Sequence, residues 1–300
     1  MEHVFQSEYG ISVRQSRSFG ERESYTDGTY MYFILPSSGD EAIDMEKATL
    51  AYHLQERSFK QIALPIQKLD GSWYITGNEK QYLVTRVLAP SDMIGYSQGK
   101  ALAQFHRASE GYAFVPHKIS SYGQWKQLWV NKLTVFEKQL EKAANKHPGK
   151  YYRLVMDIFP YVIGRTENAI QYMHETEADP RYHGGDRGVI AFRRFEKNAF
   201  SPVIWFNELV YDHPVRDVAE YMRACFLEQE NVNEATEFLR DYQAQRNLSI
   251  FSMRMLYARL LFPADLLDCL EKGFRTSDEK IIHTSNYKRS WKNRIATKKD

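Results

Sequence analysis

The hydrophobic pattern of the sequence changes once, at Ala89–Asp92, and this change limits the folds open to the chain. Before it, short apolar runs alternate with turn dipeptides, which is typical of strands. After it, apolar residues recur at helical spacing almost to residue 275. We therefore predict an α+β fold with two lobes. These are a β-rich N-terminal lobe over 1–88, a hinge over 89–92 and a helical C-terminal lobe over 93–275.

Turn signals divide the N-terminal lobe into a small sheet and one helix. Asp27-Gly28 predicts a hairpin turn before a strand over 29–35. Asp40 is a suitable N-cap for a helix over 41–57, in which the apolar residues share one face. Further strands are expected over 61–69, 72–76 and 81–88. We expect these strands to pair in sequence order, as a meander.

The C-terminal lobe contains several segments with helical periodicity. The clearest covers 125–145, where large apolar residues predict one core-facing stripe: Trp125, Leu128, Trp129, Leu133, Phe136 and Leu140. The other helices are expected over 94–109, 151–175 with a bend near Pro160, 218–229, 233–245, 249–261 and 264–272.

Charge and cysteine content exclude several classes of protein. Forty Lys and Arg residues against 38 Asp and Glu give a net charge of +2, so the whole chain has no strong field for nucleic acid or membrane. No apolar run reaches the roughly 18 residues of a membrane span, and the N-terminus has no signal-peptide pattern. Cys225 and Cys269 support neither a disulfide framework nor a zinc site. We expect cytoplasmic synthesis without secretion.

The C-terminus, 276–300, is a basic tail. Between 275 and 300, eight basic and three acidic residues give a local net charge of +5. Two interpretations remain open, a solvated tail or an arm that docks an acidic partner.

Three motifs carry a resemblance to a known superfamily. Gly99-Lys-Ala-Leu-Ala-Gln-Phe-His-Arg-Ala-Ser109 resembles its helix with an alanine–x–phenylalanine–histidine pattern. The stretch Tyr211-Asp-His-Pro-Val-Arg-Asp-Val-Ala-Glu-Tyr-Met-Arg223 resembles the segment after its metal-binding aspartate, with Asp217 opening a helix. Leu260-Leu-Phe-Pro-Ala-Asp-Leu-Leu267 resembles its late helix pair.

These motifs, with the order of strands and helices, resemble the aminoglycoside phosphotransferase and choline kinase superfamily. Within it, the chain resembles the spore-coat kinase-like family of endospore-forming bacilli, of the CotS and YutH type, and the YutH type more closely. The resemblance covers about residues 25–275. It implies a two-lobed protein-kinase-like fold and association with spore coat proteins.

The resemblance also implies a catalytic loop, from which this chain departs. The family carries histidine–glycine–aspartate with an asparagine five residues after the aspartate. Here the loop is His183-Gly-Gly-Asp186, so that Gly185 replaces the aspartate or Asp186 displaces it by one position. Ile190 or Ala191 then stands in place of the asparagine. We interpret His183 as a loop histidine bonded to neighbouring backbone.

The expected metal position is also changed. The family's isoleucine–aspartate–phenylalanine strand is Ile204-Trp-Phe206 here, with Trp205 in place of the magnesium-binding aspartate. An indole offers an N–H donor and no anionic oxygen. Asn207, Glu208 and Asp212 are nearby oxygen donors that could restore a metal site.

The strand over 29–35 lacks the phosphate-binding lysine that the resemblance implies, since the first lysine of the chain is Lys47. Glu46, on the following helix, would hold that lysine. Without it, we interpret Glu46 as a surface glutamate. Glu46 and Asp217 are then only weak candidates for cofactor binding, and Asp217 is expected to cap its helix. Other cations could substitute: Arg14, Arg17 or Arg22.

We therefore expect a catalytically inactive kinase-like protein, a pseudokinase, that acts as a spore-coat-associated binding or assembly component and needs no cofactor. The alternative is an atypical ATP-dependent small-molecule phosphotransferase that uses Asp186 as base, with ATP and magnesium. In both cases the expected partners include spore coat proteins, and neither nucleic acid binding nor a membrane span is expected.

Overall fold

The computed structural model describes residues 2–15, 18–20, 22–88, 97–110, 112–145, 149–195, 199–200, 202–228 and 232–276. The chain forms two compact units, each discontinuous in sequence. The first comprises Met1–Ser120, Gly188–Asp212 and Ala244–Arg246, and the second comprises Ser121–Arg187, His213–Gln243 and Asn247–Asp300. The predicted hinge over 89–92 and the tail beyond 276 lie outside the described residues, and the lobe boundaries stay predictions.

The first unit is built on a mixed sheet. Its strands are β1 (Arg14–Gln15), β2 (Tyr25–Thr26), β3 (Tyr30–Pro36), β4 (Ile62–Pro65), β5 (Tyr74–Gly77), β6 (Lys80–Leu88), β7 (Val189–Phe192), β8 (Ile204–Trp205) and β9 (Leu209–Asp212). The strand order is β1-β2-β3-β6-β4-β8, with β5 also paired to β6. Among the strand pairs of the described residues, only β4 and β8 run parallel, while β7 and β9 form a separate antiparallel pair.

The predicted hairpin at Asp27-Gly28 is confirmed. Asp27 Oδ1 accepts hydrogen bonds from the backbone N–H groups of Thr29 at 2.8 Å and Tyr30 at 2.7 Å. Its other oxygen accepts from the hydroxyl of Tyr32 at 2.6 Å. Gly28 has a φ of +98°, a conformation that favours glycine. The turn chemistry therefore fixes the start of β3.

The predicted meander is confirmed for β5 and β6, which pair antiparallel, and is wrong for β4 and β5, which do not pair with each other. One edge of β6 pairs with β3 from Tyr82 to Leu88. The other edge is shared, because β5 pairs with residues 80–83 and β4 pairs with Thr85 and Arg86. Between them the chain turns at Lys68, whose N–H donates to Ser72 O at 2.8 Å. As a result β4 and β5 follow one another along β6 instead of pairing together.

The N-terminus forms a small cluster that the sequence patterns did not predict. Helix α1 (Glu2–Val4) continues as a π-helical turn over Phe5–Tyr9 and ends at Gly10, which has a φ of 67°. Phe5 is buried, with ring centroids 5.1 Å from Tyr25 and 5.7 Å from Tyr32. These aromatic contacts fix the N-terminal turn against β2 and β3.

The remaining helices agree with the predicted ones to within a few residues at most ends. They are α2 (Glu41–Glu56), α3 (Gln98–Ala108), α4 (Trp125–Ala144), α5 (Lys150–Glu177), α6 (Val215–Glu228), α7 (Val232–Gln245), α8 (Ile250–Leu261) and α9 (Ala264–Thr276). The predicted cap is confirmed, since Asp40 accepts from Ala42 N–H at 2.9 Å. Within the described residues, no helix is long and apolar enough to cross a membrane.

The stripe predicted on α4 is confirmed only in part. Trp129 stacks on Phe262 with ring centroids 4.6 Å apart, and Phe136 is fully buried. Leu128, however, is 44% exposed. At about 100° per residue, Leu128 lies about 90° from the centre of the buried face. The apolar stripe in the sequence is therefore wider than the face that packs.

Candidate functional site

Asp186, the predicted base of the alternative function, lies in a single 3-10 turn, Gly184–Asp186, of the second unit and is fully buried. Its Oδ2 accepts a hydrogen bond from the backbone N–H of His183 at 2.7 Å. Its Oδ1 accepts from Ser249 Oγ at 2.5 Å and from the hydroxyl of Ser252. Both carboxylate oxygens are thus bonded to groups of the same unit.

The two serines belong to the start of α8. Ser249 is its N-cap, and Ser249 Oγ also accepts from the backbone N–H of Ser252 at 2.9 Å. The N-terminal end of a helix carries unpaired N–H groups and a partial positive charge, which favour an anion nearby. The carboxylate of Asp186 therefore fits the electrostatics of this helix end.

His213 extends the same buried network. Its Nδ1 accepts from Val215 N–H at 3.2 Å, so in the neutral ring Nε2 carries the proton. Nε2 lies 3.4 Å from Ser252 Oγ and 3.9 Å from Asp186 Oδ1. Sequence reasoning missed His213 as a partner of Asp186. The one sequence signal for His213 was its position in the Tyr211–Arg223 motif, which also contains Asp217.

The rest of the loop is exposed. His183 has an exposed side chain, and its backbone carbonyl accepts from Asp186 N–H at 2.9 Å. Gly185 is also exposed. Ile190 and Ala191, which stand where the family carries asparagine, are buried in β7 of the first unit.

Trp205, at the expected metal position, packs among side chains of the first unit. Its indole lies 4.9 Å from the Phe33 ring and 6.5 Å from the Phe19 ring, in edge-on contacts. The guanidinium carbon of Arg22 lies 4.3 Å above the indole centroid, a cation–π arrangement. In the connection that links β1 to β2, the backbone N–H of Phe19 donates to Arg22 O, and the backbone N–H of Arg22 donates to Phe19 O. This connection therefore contacts the side chain that replaces the expected aspartate.

Glu46 is more engaged than the interpretation as a surface glutamate supposed. It is half-buried, and its carboxylate accepts from three consecutive backbone N–H groups. The distances are 2.8 Å from His117, 2.9 Å from Lys118 and 3.1 Å from Ile119. The interpretation of Glu46 as a surface glutamate did not include these bonds, which give the side chain a structural partner. Through these hydrogen bonds, Glu46 connects α2 to the loop that precedes α4.

Lys47, on α2, is a buried charged residue that sequence reasoning did not identify as buried. It is only 8% exposed, and its Nζ donates to the carbonyl oxygen of Asn207 at 2.6 Å. Burial lowers the pKa of the Lys47 ammonium group below its ordinary value, and the negative charge of Glu208 opposes this effect. The available signal was helical spacing, because Lys47 falls on the same face as the buried Ala51 and Leu54.

The residues predicted to bind a metal ion or to cap a helix belong to three different elements of secondary structure. Asn207 and Glu208 belong to a 3-10 turn, Phe206–Glu208, and Asn207 Oδ1 is buried with no hydrogen-bond partner among the described residues. Asp212 ends β9 and Asp217 lies in the first turn of α6, both fully buried. Where residues are described, no group of three or more His, Cys, Asp or Glu side chains could hold a metal ion.

Comparison with known families gives a match over nearly the whole chain. A family model described as "Spore coat putative kinase YutH" matches residues 2–299. A curated relative, the endospore coat-associated protein YutH of Bacillus subtilis (strain 168), is 30% identical over 287 residues. The match covers 92% of this chain and 84% of the relative.

Solved structures share the fold at low identity. An aminoglycoside phosphotransferase from Alicyclobacillus acidocaldarius has a TM-score of 0.70 at 16% identity, covering 99% of this chain and 93% of that one. A microcompartment-associated aminopropanol kinase has a TM-score of 0.58 at 12% identity, with coverages of 95% and 92%. The AMP-bound spectinomycin phosphotransferase has a TM-score of 0.58 at 12% identity, with coverages of 96% and 92%. The predicted α+β, protein-kinase-like fold is confirmed.

Proposed function

Because the chain belongs to the spore coat YutH family, we propose that it is a catalytically inactive kinase-like protein that acts as a binding or assembly component of the spore coat. It is synthesised in the cytoplasm and joins coat proteins, as the name of its Bacillus subtilis relative suggests. No cofactor is required for this function. The basic tail, 276–300, supplies a docking arm for an acidic coat component.

The packing of Trp205 carries this proposal. Phosphoryl transfer requires a metal-binding carboxylate near the nucleotide phosphates. The side chain at that position in the resemblance is an indole, which has no anionic oxygen. Phe33 and Phe19 make T-shaped contacts with it, and the guanidinium of Arg22 lies over its ring. The position is therefore used for aromatic packing.

Two other groups of the expected constellation support the same conclusion. A general base needs an oxygen directed at the substrate hydroxyl, whereas both oxygens of Asp186 accept hydrogen bonds within their own unit. The carboxylate of Glu46 accepts three backbone N–H bonds in the first unit, in which the strand β3 contains no lysine. Groups that act as a unit in catalysis lose most of their effect when one is removed.

Nucleotide binding provides the direct test of inactivity. Thermal unfolding is measured with and without ATP and magnesium, together with transfer of labelled phosphate to a panel of amino and hydroxyl compounds. We expect no shift and no transfer. A ligand at one hundred times its Kd would stabilise the native state by about 2.7 kcal/mol. Such a shift, with phosphate transfer abolished by Asp186→Asn, would contradict the proposal and establish the phosphotransferase.

The coat association has its own test. A fluorescent fusion of the full chain in sporulating cells is expected to collect at the forming spore. The same fusion without residues 277–300 is expected to collect there less, in a salt-sensitive way, because the tail binds electrostatically. A full-length fusion that stays diffuse would overturn the coat role, and an unaffected truncated fusion would overturn the role of the tail.

A further inference from the structure

Helix α8, in the second unit, presents an apolar stripe to solvent. Ile250, Met253 and Tyr257 are 56%, 38% and 53% exposed, and their spacing of three and four residues places them on one face of the helix. Single exposed apolar side chains are normal, but several on one face mark a contact surface. Another face of α8 packs inside the unit, where Ser252 binds Asp186. The stripe is therefore available to a partner.

Helix α5 lies beside α8 in the same unit and widens this stripe. Arg165 donates to Leu261 O at 3.0 Å, and the Tyr172 ring lies 4.8 Å from the Tyr257 ring. The order of these contacts means that the two helices run antiparallel. Tyr161, one turn before Arg165, is 40% exposed, and its hydroxyl accepts from Arg165 at 3.1 Å. The exposed residues of the two helices therefore form one continuous surface.

The segment that follows α5 adds positive charge at one end of this surface. Arg181 and Arg254 both bind the carboxylate of Asp179, at 2.6 Å and 3.0 Å. The carboxylate is buried, whereas the side chain of Arg181 is 51% exposed. Two guanidinium groups thus share one anion, and the cation is the group that reaches solvent.

Arg165 supplies positive charge at the other end. Among the described residues, its guanidinium donates to two uncharged acceptors, the Tyr161 hydroxyl and Leu261 O. In the last turns of α5, Glu177 is paired with Lys126 at 3.1 Å, and Glu175 balances one positive charge at most. The accessible charge beside the apolar stripe is therefore positive.

The α5–α8 surface consists of six exposed or half-exposed residues: Tyr161, Arg165, Arg181, Ile250, Met253 and Tyr257. Tyrosine, methionine and arginine are enriched at protein interfaces, while lysine, glutamate and aspartate are depleted there. We propose that this surface binds an acidic protein segment with apolar side chains, supplied by another component of the spore coat. The inference rests on the proposed function in one respect, that the chain is a binding or assembly component.

Two other occupants fit the α5–α8 surface less well. A second copy of the chain, bound through the same surface, would bring the arginines of both copies together, and like charges across an interface are unfavourable. Helices that lie on a membrane combine basic residues with tryptophan, phenylalanine or leucine, which this surface lacks. An acidic segment pairs with Arg165 and Arg181 while its apolar side chains cover the stripe.

Two labelled synthetic peptides test the chemistry of the partner on the purified full chain. Both carry leucine and phenylalanine at the same positions, separated by glutamate in one peptide and by lysine in the other. We expect the glutamate peptide to bind at least about tenfold more tightly, with a preference that falls as salt is added. Equal affinities, or no binding of the glutamate peptide, would overturn the inference.

Substitutions test where the peptide binds. Tyr257→Ser should weaken binding of the glutamate peptide roughly 5- to 30-fold, and Arg165→Gln should reduce the preference for it over the lysine peptide. The matched controls are Val135→Ser and Lys138→Gln on α4, both exposed, which should bind like the unchanged protein. Surface and control variants with equal affinity would overturn the inference. If Tyr257→Ser does not fold, Ile250→Ser takes its place.

Localisation in sporulating cells separates this inference from the proposed function. A full-length fluorescent fusion with Tyr257→Ser is expected to collect at the forming spore less than one with Val135→Ser, and equal localisation would overturn the inference. If the unchanged fusion stays diffuse, the proposed function fails, and the peptide measurements still decide what the surface binds. Dimerisation in sedimentation, or binding to phosphatidylglycerol vesicles, that Tyr257→Ser abolishes would assign the surface to a second copy or to a membrane and overturn the inference.

Discussion

The carboxylate of Asp186 accepts a hydrogen bond from the hydroxyl of Ser249, the residue that caps the N-terminus of α8. A residue in a loop that resembles a catalytic loop is thereby part of a helix cap. The bond joins positions 63 apart in sequence. The cap depends on the charge of Asp186, because a carboxylate is a strong acceptor for hydroxyl and backbone N–H donors.

Replacing Asp186 by asparagine should therefore reduce stability. The amide keeps one acceptor oxygen but loses the charge and leaves buried donors without their partner. We expect the free energy of unfolding to fall by about 1.5–3 kcal/mol, measured by urea denaturation. Asp157→Asn, on the exposed face of α5, should change it by less than about 0.5 kcal/mol. Equal stability of the two variants would show that the network contributes nothing to the fold.

Glu46→Gln tests the bond between α2 and the loop at His117. The glutamine keeps one oxygen for the three backbone N–H groups and has no charge to strengthen the bonds. A loss of about 1–3 kcal/mol in the free energy of unfolding is expected. Glu56→Gln, at the exposed end of the same helix, is the matched control. If both changes have the same small effect, the three short distances do not represent stabilising bonds.

Acidification should destabilise the protein through His106. This side chain is fully buried, and burial lowers the pKa of His106 well below its ordinary value, with the positive charge of Arg246 adding to the effect. In the unfolded chain histidine titrates near pH 6.5. Below that pH the unfolded state binds a proton that the native state does not, so stability is complete above about pH 6.5 and declines as the pH falls.

The expected slope is up to about 1.4 kcal/mol per pH unit, until the pH reaches the native-state pKa. It is measured by urea denaturation between neutral and mildly acidic pH. His106→Gln should remove this contribution to the slope, whatever its effect on stability at neutral pH. His183→Gln, whose side chain is exposed, should retain it. A slope unaffected by His106→Gln would assign the pH dependence to other groups.

Two glycines within helices should respond to alanine in opposite ways. A Cβ atom on Gly273 would lie 2.0 Å from the hydroxyl oxygen of Tyr151, which donates to Leu270 O at 2.8 Å. Gly273→Ala should therefore cost about 1–3 kcal/mol through overpacking. Gly164, in α5, has no atom within 4 Å of the same position. Gly164→Ala should gain about 0.5–1 kcal/mol from helix propensity. Thermal unfolding of both variants measures whether each change in stability has the expected sign.

The first hairpin, the cap at Asp40 and the helix α2 could be predicted because each depends on residues that are close together in sequence. The hairpin at Asp27-Gly28 depends on one carboxylate and one glycine within a few residues. The cap at Asp40 and the periodicity of α2 depend on one turn of helix at a time. The same reasoning failed for strand pairing, because it predicted that β4 and β5 pair with each other, and they do not. Turn residues locate the ends of strands but do not determine which strand becomes the neighbour.

The sequence by itself indicated the strands β3 to β6, the helices α2 to α9, the family, the indole at position 205 and the lack of a lysine in the strand before α2. The tertiary structure decided how the charged groups are used. Lys47 binds Asn207, Glu46 binds the loop at His117, and Asp186 binds the cap of α8. These pairs are distant in sequence, and a buried charge is stable only with the partner that folding brings to it. No local pattern contains that partner.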